Sequence, residues 1–187
     1  TERAEKIVAP LGIEDNAKHE RIRSLIADQY RALRDIHTAR DAALKEVKLK
    51  GGDAAIVDAA LKATRDEVDL KIQALHRKYV ARLTAELSLQ QVEQIKDGMT
   101  YGVVQGTYRH YLELLPNLTP EQKSEVLANL LEAREYAMDA GSADEKHQWF
   151  GKYKGRINNY LSAAGIDMKQ AEKDWTAKRK AAAGEPR

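Results

Sequence analysis

The 187-residue chain has no cysteine. That excludes a disulfide framework and thiolate chemistry, and leaves both the cytosol and an export compartment open. Proline (4) and glycine (11) are scarce, so breaks in regular structure are few and each one carries information. No apolar run approaches the roughly 20 residues needed to span a bilayer, so no membrane span is expected. No sign of charge dominates: 31 Lys and Arg stand against 29 Asp and Glu, for a net charge of +2. Through residue 99 there are 18 cations and 17 acids, and after it 13 and 12. Neither half is a polybasic surface, so nucleic acid is not an expected partner. His-Glu-x-x-His, P-loop and dinucleotide fingerprints are also missing. The motifs therefore point to no cofactor and no metal, and they name no reaction. The chain opens at Thr1 without a methionine, which fits a leader removed from a periplasmic or secreted protein.

What is present is helical periodicity. From 17 to 50, apolar residues recur at Ile22, Ile26, Leu33, Ile36, Leu44 and Val47, the steps of three and four of one helix face. Gly51-Gly52 ends that run and Asp53 caps the next, which repeats the spacing through Val57, Leu61, Val68, Ile72, Leu75, Tyr79 and Leu83. At 1.5 Å per residue each helix is about 50 Å long. The two-glycine turn predicts an antiparallel hairpin over 17–86. Shorter helices follow over 89–97, 103–115, 120–140, 143–164 and 168–182, with Ser88, Thr119, Ser142 and Asp167 as caps. "DGMTYG" (97–102) reads as a break, and the tail "AAAGEPR" as frayed. The expected architecture is all-α: one helical domain, 1–187, made of the long hairpin and a shorter-helix part over 88–182.

"LSLQQ" (87–91) and "LTPEQ" (118–122) share Leu, Ser/Thr and Gln at matching offsets. The plain reading is two helix caps. The pair also resembles the Leu-Thr-x-x-Gln motif of Spy/CpxP-like periplasmic chaperones.

Some polar residues fall where the packing face belongs. With Leu33 at the centre of the first long helix, His37 and Arg40 lie within about 40° of it; with Leu127 at the centre of 120–140, Arg134 lies within about 20°. A guanidinium cannot shed its proton, so burial demands partners. Asp35, Asp41, Glu135 and Asp139 flank these helices. They offer a structural ion-pair network; the alternative is a polar pocket for an anionic ligand.

The segment "EKHQWFGKYKGRINNYL" (145–161) is the densest in the chain. On a wheel centred on Phe150, Trp149, Tyr153, Arg156 and Tyr160 gather on one flank, while Gly151, Gly155 and Asn158 lie on another side. Nine of the eleven aromatics lie after residue 100, including Tyr101, Tyr108 and Tyr111. Rings of this kind serve either as core or as platforms for apolar and cationic groups, such as the CH-rich faces of sugars. Asp144 with His147, and Glu135 with Asp139, have helical metal-pair spacings that are common by chance. Tyr101, Tyr111, His37 and His147 are bases in kind for β-elimination from uronic acids.

The segments "LRDIHTARDA", "LSLQQVEQIKDGMTYG", "YLELLPNLTPEQ", "EAREYAMDAGSADEKHQWFGKYKGRINNYLSAAGID" and "AEKDW" together resemble the bacterial family known as domain of unknown function 3826, from about Ala4 to Trp175. The resemblance implies an exported, largely helical protein among the polysaccharide-degrading proteins of Bacteroidetes-type bacteria, and no activity. Its matched positions include His37, Arg40, Asp41, Tyr101, Arg134, Glu135, Asp139, His147, Lys152, Lys154, Arg156 and Asn159. The expected function is binding of an acidic oligosaccharide, with His37, Arg40, Tyr101, Arg134, His147, Trp149, Tyr153, Arg156, Asn159 and Tyr160 as candidate contacts. The alternatives are a lyase or hydrolase on uronic-acid oligosaccharides, and a chaperone-like scaffold with no small-molecule site.

Overall fold

The computed structural model describes the backbone of residues 2–184 and the side chains of 2–181. Every regular element among them is helical. They are α1 (Glu2–Val8), a 3-10 turn (Ala9–Leu11), α2 (Asn16–Lys50), α3 (Ala54–Glu86), α4 (Leu89–Met99), α5 (Val103–Leu114), α6 (Pro120–Met138), α7 (Ala143–Ala163) and α8 (Met168–Gly184). The chain divides into two compact units, Thr1–Met99 with Asp139–Gly141, and Thr100–Met138 with Ser142–Arg187.

The first unit contains the hairpin. Gly51 (φ 61°) and Gly52 (φ 121°) supply the positive dihedrals of its turn, and Asp53 caps α3 by accepting from the Ala55 amide. Ile22, Leu25, Ile26 and Leu33 of α2 are buried with Tyr79 and Leu83 of α3. Beyond His37, α2 has no fully buried residue.

Two departures from expectation meet at one contact. Helix α1 was not anticipated, because seven residues hold too little periodicity to be read; it brings the shorter helices to six among the described residues. It forms by burying Ala4, Ile7 and Val8 against α2 and α4. Gly98 was expected in a break, yet α4 runs through it to Met99. A Cβ at Gly98 would stand 3.1 Å from Ile7, so the glycine serves close helix packing. The break shrinks to 100–102, where Tyr101 (φ 59°) and Gly102 (φ 65°) are left-handed.

The second unit pairs α6 with α7 and sets α5 against α6 and α8. Its core joins Val126, Leu130, Ala133 and Ala137 of α6 to Phe150, Tyr153, Ile157 and Leu161 of α7. The buried face of α6 is therefore not centred on Leu127, which stays half-buried. The small alanines take that place because they let α7 approach closely.

Ser88 and Thr119 both build capping boxes. The Gln91 amide donates to Ser88 Oγ at 3.3 Å and the Ser88 amide to Gln91 Oε1 at 3.2 Å. Gln122 and Thr119 repeat the exchange at 3.2 and 3.0 Å. The shared Leu-Ser/Thr-x-x-Gln pattern thus has a local cause in satisfied helix N-termini. Ser142 and Asp167 cap α7 and α8 as expected. The tail expected to fray is helical through Gly184, and 185–187 lie outside the described residues.

Candidate functional site

The helix–helix seam of α6 and α7 carries a surface of rings and cations. Trp149, half-buried on α7, stacks on Tyr136 of α6 with centroids 4.6 Å apart and planes 16° from parallel. Tyr136, 47% exposed, also faces Tyr153 at 6.2 Å. The Lys152 ammonium lies 4.9 Å from the Trp149 centroid, and the Arg156 guanidinium 5.8 Å from the Tyr153 ring. These are cation–π distances. Arg156 also reaches Glu132 at 3.2 Å. Burial, reinforced by the hydrogen bond to Glu132 and its negative charge, pushes the Tyr153 hydroxyl up to about 12. At neutral pH that phenol is a fixed donor.

The spacing explains the convergence. Trp149, Tyr153 and Arg156 are three and four apart on α7, and Glu132 and Tyr136 four apart on α6, so each set shares one helix face. Phe150 and Ile157 bury the adjoining stripe of α7 and hold the rings at the rim of the core.

A second ring pair stands elsewhere in the same unit. Tyr101, half exposed, stacks on His147 at 6.3 Å and 17°. Its left-handed backbone is costly for a bulky residue. Gly151 and Gly155 lie one and two turns further along α7, exposed, and a Cβ at either would meet open space.

The family described as "Protein of unknown function (DUF3826)" matches residues 1–181. The chain belongs to DUF3826. No curated protein matches it.

In this DUF3826 chain the inward polar residues have partners within their own units. His37 is 7% exposed, and its Nε2 lies 2.8 Å from the Asp139 carbonyl oxygen. A carbonyl only accepts, so the hydrogen is on Nε2; the buried Nδ1 has no hydrogen-bond partner. Arg40 pairs with Asp41 at 2.8 Å and is half-buried rather than fully inward. Arg134, 3% exposed, meets Glu135 at 3.5 Å. Two of the carboxylates named from sequence are thus the observed partners, and Asp139 supplies its backbone.

The Asp139 carboxylate was claimed by a residue that sequence reasoning missed. His76 Nδ1 lies 2.6 Å from one oxygen, and Gln29 donates to the other at 3.5 Å. His76 sits on the flank of the α3 stripe, where periodicity gives no signal. Nearby, buried Tyr79 donates to Met99 Sδ at 3.4 Å. Burial raises its hydroxyl above the usual tyrosine range, and Tyr30 and Asp139 add to the effect.

Of the other candidates, Asn159 and Tyr160 are exposed on α7. Tyr111 donates to Asn158 Oδ1 at 2.7 Å, and burial, with a smaller push from Glu172, raises its hydroxyl to about 12. That is far from a base poised near neutrality. Among the described residues no three His, Asp or Glu side chains are placed to share a metal ion, and no helix is long and apolar enough to cross a membrane. Tyr136 was missed because it points about 180° from the Leu127 stripe, a position usually given to solvent.

Proposed function

We propose that this protein binds acidic glycans on the α6–α7 ring surface, as an exported partner of polysaccharide use. One observation carries the binding reading: Tyr136 stacked on Trp149 at 4.6 Å beside Lys152 and Arg156. The CH face of a pyranose stacks on such rings. Uronate carboxylates pair with ammonium and guanidinium groups. Glu132 and Arg156 are both substantially exposed, 47% and 61%, so their pairing is weak and exchangeable. A ligand carboxylate can replace Glu132 at little cost. An open, ring-lined strip suits a chain of sugars better than a single small metabolite. The export setting rests on the family likeness, and cell fractionation of the native host tests it separately.

Calorimetric titration with uronic-acid oligosaccharides, against neutral hexose oligomers, tests the binding. The acidic series should bind at sub-millimolar concentration, weaken with added salt as exposed ion pairs do, and lose binding in Trp149→Ala. Absence of heat at millimolar ligand would count decisively against the reading. Following the same mixtures for the absorbance of unsaturated products shows whether elimination accompanies binding.

A further inference from the structure

On the α6–α7 ring surface a glutamate stands where an acidic ligand would. Glu132 of α6 reaches Arg156 of α7, Oε2 to Nη1 at 3.2 Å, and takes the hydrogen bond of the Tyr153 hydroxyl. A glutamate carboxylate and a uronate carboxylate are alike in charge, shape and acceptor capacity. The two donors are well placed for such a group. Tyr153 is 6% exposed, so its ring is fixed in the core, and its hydroxyl, pushed up to about 12 chiefly by burial, stays a donor at neutral pH. Arg156 follows three residues later on the same helix face, 5.8 Å from that ring. The glutamate is held far less firmly. It is 47% exposed and Arg156 61%, and one contact between them stands where a fork-on carboxylate makes two. Exposed pairs of this kind contribute little to stability.

We infer, building on the glycan reading above, that Arg156 and Tyr153 form a carboxylate subsite of this surface, which Glu132 fills until a uronate displaces it. Trp149 and Arg156 are seven residues apart, about 10 Å along α7, which is longer than one pyranose ring. A sugar stacked on the Tyr136–Trp149 rings and the carboxylate at Arg156 therefore belong to different units of one chain. The ligand class is an oligouronate rather than a free sugar acid. Selectivity has the same origin. A neutral sugar cannot replace the charge and leaves Glu132 in place, whereas a uronate exchanges one carboxylate for another and keeps both donors paired. The subsite is competent only while Glu132 is out of it, so an exposed pair of ordinary strength reduces affinity about two- to sixfold.

The test is calorimetric titration of the full chain with a galacturonic-acid oligomer and with its methyl ester, the same rings without the charge. Glu132→Gln keeps the size of the side chain and removes its charge. It should tighten binding of the acid oligomer about two- to sixfold, with binding of the ester and the melting temperature unchanged. Tyr153→Phe should weaken binding of the acid about two- to tenfold. In Arg156→Gln the acid should bind more weakly, and the gain from Glu132→Gln should disappear, because neither carboxylate then has a guanidinium to occupy. A general field effect would survive in that background, and a helix clamp would make Glu132→Gln lose affinity and melting temperature together. Wild-type binding that depends on Trp149 but is unchanged or weakened by Glu132→Gln overturns the subsite and leaves the glycan reading standing. So does a gain that persists in Arg156→Gln or appears equally with the ester. Failure of the wild type and Glu132→Gln alike to bind at millimolar concentration overturns both.

Discussion

The two compact units differ in where their aromatic side chains stand, although each buries polar groups with partners, His37 in the first and Arg134 in the second. In the first, the polar groups that face inward meet one another: His37 donates to the Asp139 carbonyl, and His76 and Gln29 serve its carboxylate. Of its two tyrosines Tyr79 is fully buried. In the second unit, where nine of the eleven aromatics fall, rings rise to the surface and cations stand against them. Inward position on a wheel thus marked residues with structural partners. The surface chemistry came instead from the rim of a helix pair, where a ring can be half core and half platform.

Ways to break that contrast run from large effects to small. Each unit should depend on its own packed centre: Phe150→Ala in the second should cost about 3–5 kcal/mol, and Leu83→Ala in the first about 2–5 kcal/mol, by chemical denaturation. Equal indifference to both would mean that neither burial matters. His37→Ala leaves the Asp139 carbonyl without its donor and should cost about 1–3 kcal/mol, while glycan affinity stays unchanged; a loss of affinity in that variant would return the inward histidine to the ligand site. Trp149→Ala should do the converse, lowering affinity for uronic-acid oligomers tenfold or more, about 1.4 kcal/mol.

Alkaline titration sharpens the contrast further. Tyr111 and Tyr153 are pushed up to about 12 against about 10 for an exposed phenol. A raised folded value means that their contribution to stability is complete below about pH 10 and disappears as pH climbs toward 12. Tyrosinate absorbance should therefore show these two ionising late, and Phe150→Ala should bring them earlier by opening the core they border. The smallest effect is Gly155→Ala. The glycine is helical, exposed and faces open space, so alanine should stabilise by about 0.5–1 kcal/mol in thermal melts. A loss would reveal that something approaches that backbone.

Legibility followed the range of the interaction. Asp53, Ser88, Thr119, Ser142 and Asp167 were readable as caps because each acts within three residues. Helix α1 and the helical Gly98 were not, because each depends on the other across more than 90 positions of chain. The α7 flank of Trp149, Tyr153 and Arg156 was visible on a wheel, but its partner Tyr136 was not. A wheel centred on leucines misplaces a face whose contact is made by Ala133 and Ala137.

The sequence alone determined that this protein is helical, where its capped helices begin, and that α2 and α3 form a long hairpin, because periodicity, caps and glycine turns are local properties of the chain. Only the tertiary structure decided which carboxylate or carbonyl each inward cation or imidazole meets, and that Tyr136 joins Trp149. Those depend on the distances and rotations at which separate helices pack, and these are set by the combined shape of side chains far apart in sequence.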